Sequence, residues 1–343
     1  MVTTGPSMAP ARLKVSWLIW SLALLVVSLL LGVFIGPADL APNEIFCSFG
    51  DLIPGVDLDC GLTPRQTDIL LVVRLPRVVL AALVGATLSL AGAAYQGVFR
   101  NPLADPFLLG VAAGAGLGAT VAIVLGSVPL VPAAFAGAIV AVALSYLLGS
   151  ANRSRSTTSL ILAGVAVAAF LTAIQTYVQQ RNDDTLRQVY SWILGRLATS
   201  GWSEILRLLP YALVGGIVIL LYRRVLDVMA VGDEEAVSLG VNVERSRLIL
   251  VLAATLATAA AVSVSGLIGF VGIIVPHTVR LLTGVSHRSL LPLSAIAGAA
   301  FLILADLGAR NALAPAELPI GVVTAALGAP FFAVILRTSG RAL

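Results

Sequence analysis

The sequence predicts an all-α protein that crosses a membrane many times, and three observations carry that prediction. Of its 343 residues, 59% are hydrophobic and only 11% are charged, where a soluble domain carries about 25% charged residues. Mean hydropathy is +1.01. Apolar runs of roughly 20 residues recur from end to end, each long enough to cross a hydrocarbon core of about 30 Å. No water-soluble fold buries so much apolar surface, so the solvent is lipid. The formal charge of +4 includes a single lysine, Lys14, and arginines that mostly stand singly beside apolar runs. That is not the basic patch a nucleic acid would need.

Taken in order, ten spans are predicted at about 17–36, 77–99, 107–126, 130–149, 157–179, 203–223, 248–266, 269–284, 289–308 and 319–337. A tail, 1–16, with Arg12 and Lys14 precedes the first span. That span exceeds the h-region of about 7–15 residues found in cleaved signal peptides. It is read as retained, with cleavage near "GPADLAP" as the alternative. An even number of spans puts both termini on one side, and the positive-inside rule selects it. With the N-terminus inside, thirteen Lys and Arg residues fall inside and eight outside, while the outer segment 37–64 holds five acids and no base. Both termini are therefore expected in the cytoplasm of a bacterial cell membrane protein.

The outer loop, 37–73, contains both cysteines, Cys47 and Cys60. Their shared location fits a disulfide on an oxidising face; two free thiols are the other reading. In "GVAAGAGLG", Gly110, Gly114 and Gly118 stand four apart, as do Gly85, Ser89 and Ala93 in the second span. This spacing lets helix backbones approach closely. In "SGLIGFVGIIVPHTVRLL" the chain reverses with little loop, and Gly266, Gly269 and Gly272 are expected to supply the bare backbone of that turn. Short or broken helices of this kind often flank a transport path.

Enzyme chemistry finds no footing. There is no G-x-x-x-x-G-K-[ST] stretch, so no phosphate loop binds ATP in this chain. His277 and His287 lie ten apart around a helix end, poor spacing for one metal. Asp306, deep in an apolar run, invites a proton-relay reading, with an i,i+4 ion pair to Arg310 as the plainer one. The inner loop 225–247 differs from the others. Asp233, Glu234 and Glu235 open a short helical pattern, where acids favour a helix N-terminus, and Gly240 ends it. A surface helix of this kind suits docking of a cytoplasmic partner, or a solvated connector.

Four long motifs, "RLPRVVLAALVGATLSLAGAAYQGVFRNPLADPFLLGVAAGAGLG", "GLIGFVGIIVPHTVRLL", "HRSLLPLSAIAGAAFLILAD" and "ELPIGVVTAALGAPFF", resemble the FecCD family of permease subunits. These belong to type II ABC importers for iron–siderophores, haem and cobalamin. The resemblance covers nearly the whole chain, apart from the cysteine-bearing loop. It implies one transmembrane permease domain over 1–343 with the type II importer fold and about ten helices. It further implies a second permease copy, in a homodimer or a pair of similar subunits. Two ATPase subunits would carry ATP and Mg, with no cofactor in this chain, and an extracytoplasmic substrate-binding protein would deliver the cargo, a ferric siderophore first. By position, Arg74, Arg77 and Arg310 match arginines that in the cobalamin member meet glutamates of the binding protein. The resemblance assigns Asp233, Glu234, Glu235, Leu239 and Gly240 to ATPase coupling. Asn101 and Leu103 match one cytoplasmic gate element, and Thr157 and Thr158 the other. Arg181, Asp184, Arg187 and Gln188 are candidates for the upper cavity, and solvated loop charges are the alternative. An ion-coupled secondary transporter is the rival of a different class, with Asp306 as its one candidate relay.

Overall fold

A backbone that enters hydrocarbon must satisfy its own hydrogen bonds, and this chain does so with helices. The computed structural model describes residues 13–38, 40–51, 61–150, 157–199 and 201–339. α1 (Val15–Phe34) is followed by α2 (Pro42–Asp51), which sits in the predicted outer loop. α3 (Pro64–Asp68), a π-helical stretch (Ile69–Arg74) and α4 (Leu75–Val98) then run on as one rod. α5 (Val111–Leu125), α6 (Leu130–Ser150) and α7 (Thr157–Gln180) follow, then the short α8 (Leu186–Ile193) and α9 (Ser203–Leu221). Two short helices, α10 (Arg223–Met229) and α11 (Asp233–Ser238), lead into α12 (Val243–Ser265). α13 (Val271–Thr283), α14 (His287–Asn311) and α15 (Ile320–Ser339) complete the chain. Among the described residues the only β pairing is an isolated bridge between Leu313 and Ala316.

Seven of these helices are long and apolar enough to cross a membrane, and three shorter apolar ones lie at Val111–Leu125, Val271–Thr283 and Ile320–Ile335. Together they follow the order of the ten predicted spans. The second span starts much earlier than its apolar run suggests. Thr63 caps Gln66 in a reciprocal capping box with Pro64 in the first turn, a strong helix start. The rod covers 35 residues, Pro64–Val98, roughly 50 Å at 1.5 Å per residue. Arg74 and Arg77 therefore lie within a helix, not at its entrance. Pro76 is tolerated because the π-helical turn just before it loosens the regular bonding pattern that a proline would break.

α4, α12 and α14 form the buried centre, and α1 lies outside it with Leu22, Leu24, Val26 and Leu30 exposed to lipid. The close approaches are made by glycine. A Cβ on Gly85 would strike the Gly298 carbonyl of α14, and one on Gly92 would strike the Gly272 carbonyl of α13. Gly114 meets Gly137 of α6 in the same way, and Gly118 meets Ala133. Gly110 does a different job from its predicted partners: it sits at φ 80° as the residue before α5. The reversal between α12 and α13 uses Gly266 at φ 70° and, unexpectedly, Phe270 at φ 70°. Gly272 belongs to the α4 contact instead of the turn, and Gly269 has open space around it.

Buried polar groups pair across the same interfaces. The Tyr95 hydroxyl lies 2.7 Å from Thr255 Oγ1, and Gln96 accepts from Arg280 Nη2 at 2.7 Å while donating to the Gly272 carbonyl at 3.2 Å. With no water in hydrocarbon, each such pair removes a cost of several kcal/mol per group.

Gly92→Val is expected to abolish recovery of folded protein from the membrane, because backbone cannot move aside for the new methyls. Gly126→Ala has no atom within 4 Å of the new Cβ and carries only the strain of φ 65°, about 1–2 kcal/mol. Size-exclusion profiles and melting curves in detergent distinguish the two.

Candidate transport sites at the two ends of the bundle

At one end of the bundle, α4 begins and α14 finishes, and their charges are drawn inward. Arg77 is 7% exposed and Arg310 3%. Arg77 Nε donates to both carboxylate oxygens of Asp306 at 3.1 Å, and its Nη1 donates to Glu317 Oε1 at 2.8 Å. Arg310 Nε lies 3.3 Å from Asp306 Oδ2, and its Nη2 donates to the Gly32 carbonyl of α1 at 3.0 Å. Arg74 Nη1 and Nη2 donate to the carbonyls of Val33 and Ala38 at 3.1 and 2.6 Å. The predicted picture of three outward sockets is thereby corrected. The sequence places these arginines at the rim, but paired acids and the frayed carbonyls ending α1 offer them partners inside. Asp306 serves this cluster through both Arg310, four residues on, and Arg77, which the sequence does not link to it.

At the opposite end, α4 and α12 meet the loop of 225–247. Asp233, the first residue of α11, lies 2.9 Å from Arg100 Nη2 and 3.1 Å from Arg247 Nη2. Ala236 is buried against Met229 and Val243. Glu234, Glu235, Val237 and Leu239 are exposed, Leu239 by 67%. Gly240 takes φ 83° just after the helix, as its predicted stopping role requires. Of the three acids expected to couple to an ATPase, Asp233 pairs within the chain, and Glu234 and Glu235 remain on the surface.

Asp227 has no part in the sequence reading, because it looks like one more loop acid. Its Oδ1 accepts from the backbone N of His287 at 2.6 Å and lies 2.9 Å from His287 Nδ1; its Oδ2 accepts from Ser286 Oγ at 3.0 Å. A carboxylate from α10 thus caps the N-terminus of α14, where the helix dipole favours negative charge. Burial opposes ionisation of Asp227, but the hydrogen bonds from His287 and Ser286 outweigh it and hold the carboxyl below its usual range. His277 stacks edge-on against Phe331, far in role from His287.

The residues that the resemblance assigns to the gate fall in two places. Asn101 and Leu103 are exposed in the loop after α4, and Asn101 Oδ1 accepts from the Leu103 N–H at 2.9 Å. Arg100 holds φ 48° beside them. Asp105 Oδ1 accepts from Phe107 N–H at 2.7 Å, and burial pushes its carboxyl up to about 6. Thr157 and Thr158 start α7, with Thr158 exposed.

Around α8, the predicted cavity residues divide. Arg187 and Gln188 line a cavity of about 440 Å³ together with Ser191 and Arg196. Arg181 instead stacks over the Tyr177 ring at 5.5 Å. Asp184 is exposed in a 3-10 turn before α8 and does not line that cavity. Of the predicted disulfide, Cys47 is in α2 and is not a free thiol. Cys60 lies outside the described residues.

Asp306→Ala leaves two buried guanidiniums short of their carboxylate and is expected to cost about 3–5 kcal/mol. Glu317→Gln removes a half-exposed partner and should cost under about 1 kcal/mol. Thermal unfolding in detergent orders the two. For Asp105 the folded pKa lies above the unfolded value, so the folded state holds the proton more tightly. Stability falls as pH rises from about 4 to about 6, and Asp105→Asn flattens that part of the melting-temperature profile.

The chain and its helix bundle have close counterparts. The profile of the FecCD transport family matches residues 24–338. The chain is 43% identical over 336 residues to the uncharacterized ABC transporter permease protein YvrB of Bacillus subtilis, covering 93% of each. It is 46% identical over 268 residues to the cobalamin import system permease protein BtuC of Halobacterium salinarum, covering 77% of this chain and 72% of that one. A solved structure described as a metal-chelate type ABC transporter in an inward-facing conformation superposes with a TM-score of 0.82 at 31% identity, over 95% of this chain and all of the other. The chain belongs to the FecCD transport family, as a multi-pass permease subunit of a type II ABC importer and a transport component, not an enzyme.

Proposed function

We propose that two copies of this chain enclose a path through which a ferric siderophore, released by a binding protein on the outer side, crosses to the cytoplasm. Both termini lie in the cytoplasm, so the Asp233 end faces inward and the Arg77 end outward. The observation that carries the ATP-driven part of this reading is α11. It is too short to stand alone, yet it is fixed by Asp233 on two arginines and by the buried Ala236. Its free surface presents Val237 at 61% and Leu239 at 67% exposure beside Glu234 and Glu235. Apolar side chains ringed by charge suit a protein partner, and the partner is the ATPase, which binds the ATP and Mg.

The connections from α11 explain how a push there would reach the path. Arg100 joins Asp233 to the loop bearing Asn101 and Leu103, and Asp227 joins α10 to the start of α14. Both links are short and charge-assisted, so displacement of the loop carries the gate and a central helix with it. Since Arg74, Arg77 and Arg310 are buried, they act in this reading as the brace of the outer end, and the binding protein docks on exposed groups around them. α7 has Leu162, Val165, Phe170 and Tyr177 exposed, a face available to the second copy or to lipid.

The cobalamin relative favours a second cargo, a corrinoid, carried by the same machinery. Growth of a deletion strain on single iron or cobalamin sources decides between them. An ion-coupled transporter would need no ATPase; uptake into liposomes by this chain alone under an ion gradient would overturn the importer reading.

Leu239→Glu places a charge on the exposed face without touching the core. It is expected to reduce capture of the ATPase by the purified permease by tenfold or more, about 1.4 kcal/mol or above, with an unchanged melting temperature. Capture at the wild-type level would remove α11 as the coupling contact.

A further inference from the structure

The cavity beside α8 has a chemistry that the permease reading does not itself demand. α8 is sharply two-sided: Val189 and Trp192 are buried, while Arg187, Gln188 and Ser191 are not. The chain leaves α8 through Gly195, at φ 76°, and Arg196 N–H donates to the Ser265 carbonyl at 2.8 Å. This return brings Arg196 onto the same opening as Arg187. The cavity of about 440 Å³ is lined by both arginines, Gln188 and Ser191, with Trp192 against it and an apolar wall from the ends of α5 and α6. No acid lines it. Neither guanidinium makes an ion pair or side-chain hydrogen bond with a described residue. Asp183 and Asp184, just before α8, lie outside the cavity lining. A second cavity of about 200 Å³ shares Ser191 and Arg196 with the first; there Glu317 is already engaged by Arg77.

Arg74, Arg77 and Arg310 at this end have internal partners, whereas Arg187 and Arg196 bring two guanidiniums to one opening. A guanidinium binds a carboxylate through two parallel hydrogen bonds, and two of them in one cavity favour a ligand with at least two anionic groups. We propose that Arg187 and Arg196, with Gln188 and Ser191 as neutral donors and acceptors, form an anion-recognising site for the cargo at the mouth of the path. The site selects a chelate bearing carboxylates or comparable anionic oxygens over a neutral one. This deepens the importer reading and rests on it. Such a site attracts and orients cargo leaving the binding protein, and solvent at its mouth keeps the hold weak enough for release.

Trp192 provides the readout. The full-length chain is placed in nanodiscs of zwitterionic phosphatidylcholine and titrated with ferric dicitrate, a polycarboxylate chelate, and with ferrichrome, a neutral ferric chelate. The expected result is saturable quenching by ferric dicitrate that Trp192→Phe removes. Binding should weaken about tenfold for each of Arg187→Gln and Arg196→Gln, and Arg187→Lys with Arg196→Lys should retain most of it. Ferrichrome should bind at least about tenfold more weakly than ferric dicitrate in the unaltered chain. Rising salt should weaken ferric dicitrate alone, an arm that needs no variant. Equal affinity for the two chelates, or ferric dicitrate binding unchanged in the double glutamine variant, overturns the proposal. So does displacement of ferric dicitrate by phosphatidylglycerol in the disc, which would make the site a lipid headgroup contact. Capture of the cognate ATPase by the same discs reports separately on the importer reading. Capture without chelate discrimination overturns the anion site and leaves that reading standing.

Discussion

A hydrocarbon slab gives a charged side chain two options, a partner inside or an exit to the rim, and the rest of this structure is arranged around that constraint. Along α4, from Val78 to Val98, there is no charged residue at all. At one end Arg77 and Arg310 converge on Asp306, and Arg74 takes the carbonyls of Val33 near the end of α1 and of Ala38 beyond it. At the other, Asp233 holds Arg100 and Arg247. Taking an ion out of water costs several kcal/mol, and at the Arg77 end a shared carboxylate with good geometry offsets that cost, while the Asp233 pair with Arg100 stays partly in water. The charges are therefore clamps at the ends of helices whose middles hold one another by shape.

That shape is set by small residues. Apolar surface gains nothing from leaving lipid for another apolar surface, so association depends on close contact and on hydrogen bonds. Gly85 on Gly298, Gly92 on Gly272 and Gly114 on Gly137 bring backbones nearer than any side chain allows. A bundle packed this way is stiff in its interior and more movable where packing thins out, at α15 and α11. A transporter needs that division, because the path must open and close without unpacking the helices that hold it.

The two ends differ in what they leave for partners. The Arg77 end draws Arg74, Arg77, Asp306 and Arg310 inward and keeps Arg187 and Arg196 beside an open cavity. The Asp233 end uses one acid as a strut and leaves two acids and two apolar side chains outward. Strut and exposed surface are thus combined in a six-residue helix and the residue that follows it.

Much of this was legible in the residues alone. Twenty-residue apolar runs name a membrane-spanning helix bundle because lipid tolerates little else. Their order, the glycine spacing, the acidic start of α11 and the family resemblance followed from local patterns. What sequence could not supply was pairing at long range. Arg77 and Asp306 are 229 residues apart, and without that link the arginines read as exposed sockets. Asp227 looks like a solvated acid until the fold lays it on the first turn of α14. Arg196 is one loop arginine among several until Gly195 turns it onto the α8 cavity. Periodicity and composition act within a helix and so can be read along the chain. Which charge meets which depends on how helices cross, and only the tertiary structure decides that.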